Sequence, residues 1–248
     1  MKKIILMVWV TFLAIPLFAL RVELSSDTFA TTGRSANRNL FVTNNSHKIV
    51  ALEIYAQSRI IDSVTGVDQL ADVEDFLIYP NQLLLQPDEQ QVVTLTWVGD
   101  QKISDEKAFR IIVEELNLSL GDDDNAGDDM TVKLAALTKV VKAAYVTPSN
   151  AKPKVIIQGA NIVQSDTGAK KIRLIFENVG NTHDILKQVQ ISLTPIQPNG
   201  KKSKDQTITV MPVELRGVMN ILAKSQRLID IDWPANLPDD ISAIHASF

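Results

Sequence analysis

The 248-residue chain sets 25 Lys and Arg against 29 Asp and Glu, a formal charge of −4, and 45% of its residues are hydrophobic. That balance excludes an electrostatic case for nucleic acid, and no basic block suggests an anionic membrane surface. Without a single cysteine the chain has neither disulfides nor thiol chemistry, so burial alone must hold it together.

Met1-Lys2-Lys3 is a short basic start, Ile4 to Phe18 is an almost unbroken apolar run, and Ala19 closes it. This is the layout of a secretory signal peptide over residues 1–19, too short and wrongly flanked for a stable membrane anchor. Export is expected, with cleavage near Ala19 and no following cysteine to take a lipid. About 229 residues then remain, enough for two domains of ordinary size.

From Arg21 to Leu118 strand signals recur at short intervals. Leu40-Phe41-Val42 runs into the turn-forming Thr43-Asn44-Asn45-Ser46, and the β-branched and aromatic run Ile49 to Tyr55 follows. Asp68 to Phe76 reads either as a helical turn or as an irregular loop. Next come two proline-opened strands, Asn81 to Leu85 after Tyr79-Pro80, and Gln90 to Trp97 after Pro87-Asp88. In the second, period-two alternation puts Val93, Leu95 and Trp97 on one face and Val92, Thr94 and Thr96 on the other. Ala108 to Leu116 adds a further strand. Short strands separated by polar turns predict a β-sandwich or barrel.

Gly121 to Asp129 is an acidic cluster that cannot bury anything, and it reads as a solvated loop. Asp122, Asp124 and Gly127 touch a calcium-loop pattern, but Ala126 breaks it and Lys133 stands where a glutamate is needed. The apolar stretch Met130 to Val146 then reads as one long strand, since it lies in β context before Thr147-Pro148. Ser149 to Pro153 is a linker. A second strand series follows, at Val155–Ile157, Ile172–Glu177, Val189–Leu193, Thr207–Val210, Leu228–Ile231 and Ile241–Phe248. The expected organisation is a signal peptide, a first sandwich over 20–148 and a second over 149–248, an all-β fold with a cleft between its two domains.

Enzyme chemistry is not encoded in any recognisable pattern. His47, His183 and His245 have no metal-ligand spacing, and there is no Gly-x-Ser-x-Gly elbow or glycine-rich phosphate loop. Glu114 and Glu115 are adjacent on a strand and so point to opposite faces, which prevents them from flanking one bond. No cofactor and no metal is expected.

FLIYPNQLLLQPDEQQVVTLTWVGD followed by DEKAFRIIVEEL resembles the PapD-like periplasmic chaperones of pilus assembly. The family segment Pro-x-x-Leu-x-Leu-x-Pro-Gly-x-x-Gln-x-Val-x-Leu is matched by Pro80, Leu83, Leu85, Pro87, Gln91, Val93 and Leu95. Glu106, Phe109 and Arg110 match the acidic residue and Tyr-Arg pair that follow it. Asp88 replaces the usual glycine and Phe109 the usual tyrosine. LFVTNNSHKIVALEIYAQ is similar to the family's first hairpin, with Asn44 at its asparagine, and IRLIFENVGNTHDILKQVQIS and AKSQRLIDIDWPANLP resemble strands of its second domain.

The resemblance implies two immunoglobulin-like sandwiches, the first of which lends its last strand to pilus or fimbrial subunits that lack one. Such a chaperone would deliver these subunits to an outer-membrane usher. The implied donor residues are Val132, Leu134, Ala135, Leu137 and Val140. Which alternate set enters the client stays open, because a one-residue slip exchanges the faces. Lys142 matches the lysine that anchors the subunit's C-terminal carboxylate. The arginine that partners it in the family falls here on Asp27 or Thr28, and spacing supports none of Arg21, Arg34 and Arg38 in its place. A free apolar edge invites pairing, so self-association without client is expected. The rival reading is a structural or adhesive component of a surface fibre.

Overall fold

The computed structural model describes residues 20–117, 137–210 and 219–248. The signal segment, the acidic cluster and donor residues Val132, Leu134 and Ala135 lie outside them.

The first half of the described chain forms strands β1 (Leu20–Leu24), β2 (Thr28–Ala30), β3 (Asn37–Asn44), β4 (Val50–Ile61) and β5 (Asp68–Asp72). These are followed by β6 (Phe76–Tyr79), β7 (Gln82–Leu85), β8 (Gln90–Trp97), β9 (Lys107–Leu116) and β10 (Lys139–Thr147). One sheet has the order β1-β3-β8-β6; the other runs β2-β10-β9-β4-β5, with β7 also on β4. Strand β8 shows why the sheets face each other. Val93, Leu95 and Trp97 are buried between them, while Val92 and Thr94 look outward. Phe76 packs edge-on against Phe29, Trp97 and Phe109 with ring centroids 5.2, 5.3 and 5.1 Å away, a geometry favoured by the ring quadrupoles.

The two proline-opened strands belong to opposite sheets, and the Pro87-Asp88 turn carries the chain across. Asp88 has φ 60°, the left-handed conformation that a glycine would reach without a steric penalty and that aspartate tolerates. Asn44, fully buried, fastens this turn. Its Nδ2 donates to the carbonyls of Lys48, Leu85 and Gln86 at 2.7, 3.1 and 3.0 Å, and its own carbonyl accepts from the Asp88 N–H at 2.8 Å.

The second half contains β11 (Val155–Gln164), β12 (Lys170–Asn178), β13 (Asp184–Leu186), β14 (Val189–Ile196), β15 (Gln206–Val210), β16 (Met219–Ile221), β17 (Gln226–Asp232) and β18 (Ala243–Ser247). They pair as β11-β12-β17, β13-β16 and β15-β14-β18. Ile172, Leu174, Phe176, Ile191 and Leu193 are fully buried among them. Gly180 lets the chain pass close to the linker, since a Cβ there would collide with the backbone of Lys152 and Lys154.

Several expectations change. Asp68 to Phe76 is neither helix nor irregular loop: it contains β5 and the start of β6, because β4 runs on to Ile61 and pairs with β5. The long strand expected from Met130 begins at Lys139, with Leu137 and Thr138 ahead of it; 130–136 lie outside the described residues. Strands β13 and β16, three residues each, were not expected from their sequence.

The two cores share no residue. A small third cluster, Ile61, Tyr145 and Leu222, joins the sandwiches.

Candidate functional site: an open strand edge beside the interdomain cleft

Strand β10 pairs antiparallel with β9 from Lys139 to Val146. On its other side β2 runs parallel to it, but only along Tyr145–Thr147. The Tyr145 N–H donates to the Asp27 carbonyl at 2.7 Å, so the backbone polar groups of Tyr145 face β2. The carbonyl of Thr138 instead accepts from the Glu115 N–H at 2.9 Å, on the β9 side. Backbone groups alternate along a strand, so Lys139, Val141 and Ala143 turn their N–H and C=O away from β9. Among the described residues no strand pairs with them there. The edge is open from Lys139 to Ala143.

Side chains alternate as well. Val140, Ala144 and Val146 pack into the first core. Lys142 shares their face, is half-buried, and has no ion-pair or hydrogen-bond partner among the described residues. On the outer face Val141 is 43% exposed, and Leu137, just before the strand, 52%. Of the donor residues expected from the sequence, Val140 thus faces the protein's own core and Leu137 faces solvent.

Lys139 opens the edge with its ammonium 3.0 Å from the Tyr55 hydroxyl and 3.3 Å from Glu114. The Tyr55 hydroxyl donates to Glu114 at 2.5 Å. This bond, and then Lys139, hold the Glu114 carboxyl below its usual range. Glu115 accepts instead from the Thr138 N–H at 3.1 Å. The adjacent carboxylates thus have separate, structural partners.

Tyr145 leads from the edge into the junction. Its ring stacks on His183 of the second sandwich, with centroids 3.8 Å apart and planes at 15°. Its hydroxyl accepts from Asn220 Nδ2 at 2.7 Å and from Arg59 Nη1 at 3.2 Å. Asp68 holds that arginine and Arg110 together, at 2.8 Å from Arg59 Nε and 2.7 Å from Arg110 Nε. Glu106, 1% exposed at its side chain, accepts four hydrogen bonds: from Thr147 Oγ1 at 2.8 Å, Thr182 Oγ1 at 2.6 Å, the His183 N–H at 3.0 Å and His183 Nδ1 at 2.6 Å. Burial works to raise its pKa, but the bonds from His183, Thr182 and Thr147 outweigh that and keep it below the usual carboxylate value. Between the domains a cavity of about 340 Å³ is lined by Ile60, Ile61, Val73, Phe109, Leu222 and Ala223 among others.

The three spare arginines separate clearly. Arg21 pairs with Glu23 at the surface and Arg34 is exposed. Arg38 reaches from β3 to the Thr28 carbonyl, with Nε at 2.8 Å, and lies over the Phe29 ring. Spacing along the chain gave no sign of this, because the approach is made across the sandwich. Glu106 and Arg110 were legible only as motif matches, with no role attached.

No protein-family model and no curated protein matches the chain. Solved structures do. One is the CsuC–CsuE chaperone–tip adhesion subunit pre-assembly complex from the archaic chaperone-usher Csu pili of Acinetobacter baumannii, with TM-score 0.53 and 12% identity over 88% of this chain and 90% of that one. A chaperone–tip adhesin complex of CFA/I fimbriae biogenesis gives 0.52 at 12% identity, over 91% and 98%. The class 5 fimbriae chaperone CfaA gives 0.51 at 14%, over 92% and 99%. The chain has the fold of these chaperones. It is all-β, two immunoglobulin-like sandwiches in tandem with a cleft between them.

Proposed function

We propose that the protein is a periplasmic chaperone that caps pilus or fimbrial subunits by strand addition at the β10 edge and hands them to an outer-membrane usher. The observation behind this is the unpaired edge from Lys139 to Ala143. Backbone donors and acceptors in such a row are a template for a partner strand, and pairing them supplies affinity without a catalytic group. The two-sandwich fold and its likeness to fimbrial chaperones support the reading, as does the signal-like segment 1–19 read as cleaved on export. We take residues 20–148 as the edge-bearing domain and 149–248 as the second.

Within this reading Lys142 anchors the subunit's C-terminal carboxylate, being a half-buried cation without an ionic partner among the described residues. Arg38 is the second cation. It binds the carbonyl of Thr28, one of the two positions, with Asp27, on which the family's arginine falls, and Thr28 is paired with Tyr145, three residues beyond Lys142. Val132, Leu134, Ala135 and Leu137 are proposed as the donor segment, one of whose alternate sets, Val132 with Leu134 or Ala135 with Leu137, enters the client. Without client the edge pairs with a second copy.

The test is co-expression with a strand-deficient subunit, followed by purification from the periplasm. A soluble one-to-one complex is expected. Recovery of the chain in insoluble polymer with the subunit would instead make it a fibre component.

A further inference from the structure

Among the contacts at the junction between the sandwiches, two differ sharply in chemistry. At the tip of the β4–β5 hairpin the Leu228 N–H donates to the Ser63 carbonyl at 2.8 Å, a backbone bond that lies beside the Arg227 guanidinium against Gly66. At the other contact the buried Glu106 carboxylate takes Thr147 from its own sandwich, and Thr182 and His183 from the second. The backbone bond of the first contact needs no charge and can act as a pivot; the second needs an ionised carboxylate.

We propose that the Glu106–His183 contact is an acid-released latch that fixes the angle between the two sandwiches. Protonated, Glu106 presents a hydroxyl where it now accepts four bonds, so at least one donor is left facing another donor in a buried place. The other ionisable groups on the surrounding elements are Asp62 with Arg227 at the hairpin tip, Asp75, Asp105, Lys107, Asp68 with Arg59 and Arg110, Tyr145, Asp184 and Lys224. Asp105 meets Lys224 across the same junction at 3.9 Å, but both side chains are exposed to water and screened. Glu106 is the carboxylate that burial and shared donors make decisive. Its pKa is depressed, so the contact is intact above the ordinary glutamate value of 4.5 and is lost as pH falls through the lower folded value. The inference stands apart from the chaperone reading, since it concerns the free protein.

The test uses the absence of native cysteine to place two labels, at exposed His47 and Asp166 (His47→Cys, Asp166→Cys), and follows energy transfer between them from pH 7 downward. Circular dichroism in parallel reports the sandwiches. The expected result is a change in transfer below pH 4.5 while the β spectrum persists. Glu106→Gln should lack that transition and sit in the opened state at pH 7. His183→Phe keeps a ring on Tyr145 but loses Nδ1, so its transition should move up by about one pH unit, the scale of one charge-assisted hydrogen bond. Transfer that stays constant until the sandwiches unfold overturns the proposal. So does a transition that Glu106→Gln retains, or a midpoint that His183→Phe leaves in place.

Discussion

Tyr145 and His183 lie ring on ring, 3.8 Å apart, and belong to different sandwiches. Tyr145 is also the residue at which β2 takes over the free side of β10. One side chain therefore marks both the end of the open edge and the start of the domain junction. Any strand added along Lys139 to Ala143 must stop where β2 begins.

The direction of backbone groups along β10 can be tested with proline. Val141 directs its N–H to the open side, so Val141→Pro removes a donor that only a client would use. Val140 directs its N–H to β9, and Val140→Pro breaks the protein's own ladder. We expect Val141→Pro to lose subunit binding with a melting temperature near the parent's, and Val140→Pro to lower the melting temperature strongly. Pull-down and thermal melting read the two effects. If Val141→Pro still captures subunit as the parent does, the edge is not the binding element.

The core of the first sandwich rests on its aromatic cluster. Phe109 is 2% exposed and contacts both Phe76 and Trp97. Phe109→Ala removes those contacts and leaves a cavity, which costs roughly 3–5 kcal/mol. Chemical denaturation should show the loss in the transition of this sandwich. A change below about 1 kcal/mol would mean that the cluster is less tightly packed than its geometry states.

Asp68 gives the fold an acid limb of its own. Burial works against its charge, but Arg59 and Arg110 together hold its pKa below the ordinary 3.8. The stabilisation is therefore present above that value and is lost as pH falls through the lower folded one. Asp68→Asn should be less stable than the parent at pH 7, with the gap closing in acid. Denaturation midpoints from pH 7 to pH 2 check it, and a gap that stays constant with pH would show that the charge is not what matters.

How far the sequence discloses these features depends on how local each one is. Alternation in QQVVTLTW names the buried face of β8 because period two is a property of eight consecutive residues. Asp88 at a glycine position hints at a left-handed turn for the same reason. Strands β13 and β16 are three residues long, too short for any period, and they exist because each pairs with the other. The site divides along the same line. Lys142 is legible through a local match, whereas Glu106 meets His183 over 77 residues, a relation that no window along the chain contains, and Arg38 reaches Thr28 between the two sheets, which a separation of ten residues does not disclose.

The last prediction separates the two cations. Lys142 has no ionic partner among the described residues, so reversing its charge should leave the fold's stability nearly unchanged. Bound client would present a carboxylate there, and Lys142→Glu would set like charges against each other in a partly desolvated cleft. Breaking a buried pair in this way costs roughly 3–5 kcal/mol, about two to four decades of affinity. Arg38 differs, because its Nε already binds the Thr28 carbonyl and its guanidinium lies over Phe29. Arg38→Gln should lower both stability and affinity, while Lys142→Glu lowers affinity alone. Titration of each variant with purified subunit, beside thermal melting, distinguishes them. Should Lys142→Glu bind as tightly as the parent, the carboxylate is held elsewhere, and Arg59 and Arg110 around Asp68 become the cations to test next.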